Sequence, residues 1–247
     1  VPESLRGFAG FMADDVNFQT WAGLPYSVET GKRAFDHIFG SEIFPWYQRH
    51  PEYGQKFDAA MTSMSLGASM AILAGYDFTG IKKLVDIGGG QGQLLAAVLQ
   101  KYPTMQGVLY DAPHVIATAQ GTMAAHGVTD RCELIGGDFF ASAPAGGDAY
   151  IMKHIIHDWS DDECVTILGH CRDGMNVGDK VLIAEMIVPQ PNAPGVSKFL
   201  DLQMLLVLSG CERTADEYRN LLDRAGFAMT RIVPTPSLYS VIEGIKK

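Results

Sequence analysis

No cluster of lysine and arginine occurs anywhere in this sequence, and 19 basic residues are outnumbered by 28 acidic ones, for a formal net charge of −9. That balance argues against nucleic acid or an anionic membrane as the main partner. Charged residues are sparse, at 19%, against 47% hydrophobic, which suits a soluble globular enzyme with a sizeable core. No apolar run approaches the ~20 residues of a membrane span. The four cysteines, Cys132, Cys164, Cys171 and Cys211, form no Cys-x-x-Cys pair. Reduced thiols in a cytoplasmic protein are therefore expected, rather than a disulfide framework or a zinc site. Val1-Pro2-Glu3-Ser4 begins no signal peptide. There is no initiating methionine, and Ser4 to Met12 already reads as amphipathic helix, so residues upstream are expected. Internal repeats and low-complexity tracts are absent.

What is present falls into two textures. Residues 1–76 are helical in pattern, with apolar residues at helical spacing from Phe57 to Ile72. From residue 81 short apolar strands alternate with helices. Strands are predicted at 83–87, 107–111, 131–136, 148–152 and 180–186, with helices at 91–101, 113–125 and 161–173 between them. A further helix is expected at 198–208. Such alternation predicts an α/β fold with a doubly wound, mainly parallel sheet. Two last strands, 227–233 and 238–244, are joined by Pro234-Thr235-Pro236, a connection short enough only for an antiparallel hairpin. Ser160 with Glu163 and Thr214 with Glu217 form capping boxes at two helix starts, and Gly226 is a plausible stop for the second helix.

The most informative segment is Val85-Asp86-Ile87-Gly88-Gly89-Gly90-Gln91-Gly92. A strand, a glycine-rich turn and a helix start are how an open α/β sheet grips a nucleotide-like ligand. The NAD fingerprint fails here, because its third glycine place holds Gln93. The spacing Asp-x-Gly-x-Gly-x-Gly instead resembles the first motif of S-adenosylmethionine (SAM) dependent methyltransferases. Ligands in such sheets bind at the C-terminal strand ends, and polar residues gather there. Asp111 ends the second strand, 19 positions past Gly92, near the distance at which an acid holds a ribose. Asp138-Phe139-Phe140 follows the third strand, an acid and rings suited to adenine. Lys153, His154, His157 and Asp158 follow the fourth, and Glu185 ends the fifth.

Further segments carry a wider resemblance. They are Asp111-Ala112-Pro113-His114, Gly136-Gly137-Asp138-Phe139-Phe140, Met152-Lys153-His154-Ile155-Ile156-His157-Asp158-Trp159-Ser160-Asp161, Ala184-Glu185-Met186 and Glu212-Arg213-Thr214. In order and spacing the chain resembles the plant caffeic acid O-methyltransferase family and its bacterial relatives. The Lys-x-x-x-His-Asp-Trp-Ser-Asp run is the most specific part.

The resemblance implies a Rossmann-like methyltransferase fold with a seven-stranded sheet at 77–247. The helical segment 1–76 would contribute to the acceptor pocket and to dimer contacts. It implies that Gly88, Gly90, Asp111, Asp138, Phe139 and Lys153, with Ser65, bind SAM. His157 would be the general base, Glu185 and Glu212 would hold its imidazole, and Met61, Met204 and Asp158 would face the acceptor. No metal is implied. The family also carries an N-terminal dimerisation domain that this sequence does not show, and Cys211 stands where bacterial relatives usually have a larger polar residue.

The chemistry is consistent with this assignment. A phenol with pKa near ~10 is a poor nucleophile at neutral pH, and a positioned histidine gives roughly 10²–10⁴-fold by taking its proton. The expected activity is SAM-dependent methylation of a hydroxyl on an aromatic small molecule. The alternatives are a relative on the same fold that methylates nitrogen or carbon, one that uses SAM in a hydroxylation, and a SAM-binding regulatory protein without turnover. His154 is read as structural, and the other histidines as surface or interface residues.

Overall fold

The computed structural model describes residues 6–208 and 210–247. Ser4 and Leu5 of the expected first helix lie outside the described residues. Helices come first: α1 (Arg6–Met12), α2 (Asp15–Ala22), α3 (Leu24–Thr30), α4 (Ala34–Phe39), α5 (Ile43–Arg49) and the 25-residue α6 (Pro51–Gly75). Strands and helices then alternate as β1 (Lys83–Ile87), α7 (Gln93–Lys101), β2 (Gln106–Asp111), α8 (Pro113–Ala125), β3 (Cys132–Gly136), β4 (Ala149–Lys153), α9 (Asp161–Asp173) and β5 (Lys180–Met186). The chain continues through α10 (Ser197–Val207), α11 (Ala215–Arg224), β6 (Phe227–Pro234) and β7 (Tyr239–Lys246).

The strands form one seven-stranded sheet in the order β3-β2-β1-β4-β5-β7-β6. β1 to β5 pair in parallel, and β7 runs antiparallel to both β5 and β6. The hairpin lies where expected, but β7 inserts between β5 and β6, an arrangement that sequence spacing does not reveal. β1, β4 and β5 are buried almost end to end, as strands covered on both faces must be. Val85, Ile87, Tyr150, Met152, Val181 and Ile183 pack on one face against α9 and α11 residues such as Ile167 and Leu222. Their neighbours Leu84, Ile151, Leu182 and Ala184 turn to the other face, against Leu95 and Val98 of α7 and Ile72 of α6. This is the period of two that a pleated strand imposes.

Both capping boxes form. Ser160 N donates to Glu163 Oε2 at 2.9 Å and Glu163 N to Ser160 Oγ at 3.5 Å. Thr214 N donates to Glu217 Oε2 at 2.7 Å and Glu217 N to Thr214 Oγ1 at 3.3 Å. Each box satisfies two amide donors that a helix start leaves orphaned. Gly226, at φ +86°, ends α11 in the left-handed region.

Two expectations need correction. α6 is long and apolar enough to cross a membrane by length and composition, although serine, threonine and glycine break its apolar residues into short runs. Here its C-terminal half braces the sheet, with Ile72 fully buried. Residue 76 is also no packing boundary. The core of the helical segment, built on Val16, Phe35, Trp46 and Tyr47, is completed by Met204, Leu206 and Val207 of α10.

Candidate active site

The sheet order reverses between β1 and β4, which opens a crevice at their C-terminal ends. The glycine-rich turn follows β1, and the Lys153–Asp158 loop follows β4. The two groups of residues that the sequence separates by some sixty positions therefore meet at one place.

The turn needs its glycines. Gly88, Gly90 and Gly92 have φ of +66°, +61° and +77°, where a Cβ is strained. A Cβ at Gly88 would lie 2.9 Å from Ile155 Cγ1, and one at Gly89 would lie 2.6 Å from Asp86 Oδ2. At Gly90 the same atom would meet open space, so this part of the turn lies bare. Gly90 N donates to Asp111 Oδ2 at 2.8 Å, and Ala112 N donates to Asp111 Oδ1 at 2.7 Å. The Asp111 carboxylate thus turns back toward the glycines. Exposed Asp138 accepts from Phe140 N at 2.8 Å, and half-buried Phe139 sits with its ring centroid 6.1 Å from that of Trp159.

Lys153 and Ser65 are also brought together, with Lys153 Nζ donating to Ser65 Oγ at 2.8 Å. Burial lowers the Lys153 ammonium, while Asp86 and Glu185 pull it back up. Asp86, fully under the turn, is pushed up to about 7 by burial, against Lys153 and with Asp111. Its Oδ2 has no hydrogen-bond partner among the described residues. A bare glycine turn, carboxylates after β2 (Asp111) and β3 (Asp138) and an orphaned buried carboxylate oxygen under the turn fit a cofactor with ribose hydroxyls and a cationic amino-acid portion.

His157 occupies a single 3-10 turn, Ile156–Asp158, after β4. Its ring is buried, at 9% exposure. Nδ1 lies 2.6 Å from Glu212 Oε1, and Nε2 lies 3.4 Å from Asp158 Oδ1. Glu185 behaves differently from expectation. Its Oε2 stays 3.7 Å from Nδ1, beyond a hydrogen bond, while its Oε1 accepts from Ile155 N at 3.0 Å and His157 N at 3.4 Å. Glu212 therefore holds the imidazole and Glu185 holds the backbone beneath it. Carboxylate direction depends on the loop path, which spacing in sequence does not encode.

Burial opposes the charged ring, but Glu185, Asp158 and Glu212 outweigh it and push His157 up to about 10. Burial also raises Glu185 to about 7, with His157 acting against it. The ligand atoms of His157, Glu185 and Glu212 lie within 4.8 Å of one another, a spacing that can seat a metal ion. Here Nδ1 and Oε1 share a direct hydrogen bond at 2.6 Å.

Of the residues expected to face the acceptor, half-buried Met61 lies one helical turn before Ser65 and so shares its face. Met204 is buried in the helical core, three residues after Asp201, whose Oδ1 accepts from Glu212 N at 2.9 Å. His154 has φ +57°, and its ring centroid is 4.5 Å from Tyr239 and 5.6 Å from His157. Burial, aided by Lys153 and His157, keeps it neutral.

Sequence reasoning missed three residues at the site. Asp201 caps Glu212. Gly210 packs its backbone directly on residues 157–159. Arg213 bonds carbonyls of the base loop. Only Arg213 left a signal, as the middle of Glu-Arg-Thr.

The chain matches the model of the O-methyltransferase domain over residues 21–228. It is 40% identical to the phenazine O-methyltransferase PhzM of Lysobacter antibioticus over 98% of its own length and 71% of the relative's. It is 36% identical to an 8-amino-8-demethylriboflavin N,N-dimethyltransferase of Streptomyces davaonensis, over 98% of this chain and 70% of that one. The crystal structure of CalO1, a methyltransferase in calicheamicin biosynthesis in its S-adenosylhomocysteine-bound form, superposes with a TM-score of 0.92 at 30% identity, covering all of this chain and 73% of the other. With its fold, its glycine-rich turn and these relatives, the chain belongs to the O-methyltransferase domain family of SAM-dependent methyltransferases.

Proposed function

We propose that the protein methylates a hydroxyl on an aromatic small molecule, with His157 as the general base. The observation that carries this reading is the buried pair of His157 Nδ1 and Glu212 Oε1 at 2.6 Å. A carboxylate on one ring nitrogen fixes the tautomer and leaves the other nitrogen to take a proton, as in a serine triad. SAM supplies the methyl group and the leaving group. Gly88, Gly90, Asp111, Asp138, Phe139 and Lys153, with Ser65, would hold it.

The basicity of the ring suits a phenol. A hydroxyl with pKa near ~10 loses its proton to a base raised to about 10 with little free-energy change. The cost is that the neutral ring is a minor form near pH 7. Asp158 Oδ1, 3.4 Å from Nε2, is placed to steady the imidazolium that forms. Met61 and Met204 would face the acceptor.

His157→Ala tests this. SAM affinity by calorimetry should stay near the parent value, and kcat should fall by about two to four orders of magnitude. Methylation at the parent rate would place proton removal elsewhere. A second reading, transfer to an aromatic amine, is favoured by the riboflavin-analogue relative. Matched phenol and aniline panels with labelled SAM separate the two.

The helical segment exposes Phe18 at 65%, Val28 at 65% and Phe44 at 45%. Large apolar side chains so exposed need covering, which supports a homodimer, while the four free cysteines suit work in the cytoplasm. Light scattering should give twice the monomer mass, and a monomer that turns over at full rate would overturn the dimer.

A further inference from the structure

Arg213 is 1% exposed and ranks among the largest fully buried side chains of the described residues. A guanidinium in that position is costly unless its donors are all used. Nη1 donates to Ile156 O at 3.0 Å and to Cys211 O at 3.2 Å. Nη2 donates to Trp159 O at 2.9 Å, and Nε donates to Asp161 Oδ1 at 2.9 Å. Asp161, whose side chain is 54% exposed, supplies the countercharge.

The choice of carbonyls is informative. Ile156 and Trp159 bracket His157, and Cys211 is the residue before Glu212. One nitrogen therefore ties the chain neighbour of the imidazole to the chain neighbour of its carboxylate. The Arg213 backbone also ties in the end of β5, since Ile187 and Arg213 form an isolated parallel bridge and Val188 N donates to Arg213 O at 3.0 Å. The contact between His157 and Glu212 spans 55 positions of sequence, and this side chain bonds the segments that carry both of its parts.

We propose that Arg213 is a positioning residue for the base: its guanidinium sets the distance between His157 and Glu212 while touching neither substrate nor cofactor. The proposal rests on His157 being the base. The carbonyls of Ile156, Trp159 and Cys211 are joined by the separate nitrogens of one guanidinium fork, and the single ammonium of a lysine cannot make the same set of bonds. Cofactor groups at the glycine turn lie outside the clamp, so a loosened clamp acts on proton removal and spares SAM binding.

The test compares Arg213→Met, Arg213→Lys and Asp161→Asn with the parent and with His157→Ala. In Arg213→Met, kcat should fall at least about tenfold, the scale of a small misplacement at a reacting group. SAM affinity and the acceptor KM should stay within about threefold. The acid limb of the rate profile should move to lower pH, because an imidazole that loses its carboxylate becomes less basic. Arg213→Lys should recover only part of the rate. If Arg213→Met does not fold, the half-exposed Asp161 decides the matter, since Asp161→Asn should move the same limb in the same direction by less. A limb that stays in place in the folded variants, or a rate that falls only in step with SAM affinity, overturns the proposal. Full activity in His157→Ala would instead overturn the base itself, whatever the arginine variants do.

Discussion

Gly210→Ala offers a direct perturbation of the base without removing any polar group. The backbone at 210 lies flat against the turn that carries His157. A Cβ there would come within 2.5 Å of Trp159 N, and closer still to His157 O and Asp158 C. Ordinary van der Waals contact begins at 3.4 Å, so one of the two segments must recede by about 1 Å or more. All three obstructing atoms are backbone, and no side chain can swing aside. Overpacking of this kind costs about 1–3 kcal/mol in stability, which a folded domain generally survives. A misplacement near 1 Å costs on the order of 10²-fold in rate. The expected variant is folded, binds SAM normally by calorimetry and methylates about a hundredfold more slowly. The assay is initial-rate transfer of labelled methyl at saturating SAM, beside a thermal melt. A parent-like rate in a folded Gly210→Ala protein would show that the close approach of these segments does not govern the chemistry.

Other outcomes follow from the same geometry. Asp111→Ala removes the acceptor that holds Gly90 N and faces the glycine turn. SAM affinity by titration should weaken by about 1.5–3 kcal/mol for each charged hydrogen bond lost, and unchanged affinity would remove Asp111 from the cofactor site. The pH profile should also be displaced. His157 is pushed up to about 10 by carboxylates that outweigh burial, and the base works only when deprotonated. Activity in kcat/KM should therefore climb with pH above the ordinary histidine value of 6.5 toward that point. Glu185→Gln removes one of those carboxylates and should move the limb to lower pH; a profile flat between pH 6 and 9 in the parent would contradict the shift.

The sequence made the gathering of the expected cofactor residues at one edge readable because strand ends are readable. Gly88, Asp111, Asp138 and Lys153 each follow an apolar run, and a parallel sheet brings all such ends to one edge. His157 was marked by the same rule. The division of labour between Glu185 and Glu212 was hidden, since Glu185 ends the fifth strand, Glu212 comes after it, and only the loop path decides which carboxylate meets Nδ1. Asp201 and Gly210 left no trace, because one acts through a backbone amide and the other through the absence of an atom. α6 was underestimated as an apolar helix because its small residues interrupt every run. The place of β7 was hidden too, since hairpin length predicts pairing with β6 and says nothing of which strand faces β5.

That placement of β7 has a consequence for how the sheet is assembled. β6 precedes β7 in the chain but has no strand partner until β7 arrives, because β7 alone pairs with it. β7 in turn needs β5, more than fifty residues earlier. Order of synthesis and order of docking are therefore opposed at this edge. Until residues 239–246 are in place, β5 presents an open, mostly apolar edge and β6 has no ladder to join. Unpaired edges of this kind invite pairing with other chains, and distant pairings form slowly. The last strand thus works as a keystone: the half-sheet from β3 to β5 can gather early, but it stays adhesive until a segment distant in sequence closes it.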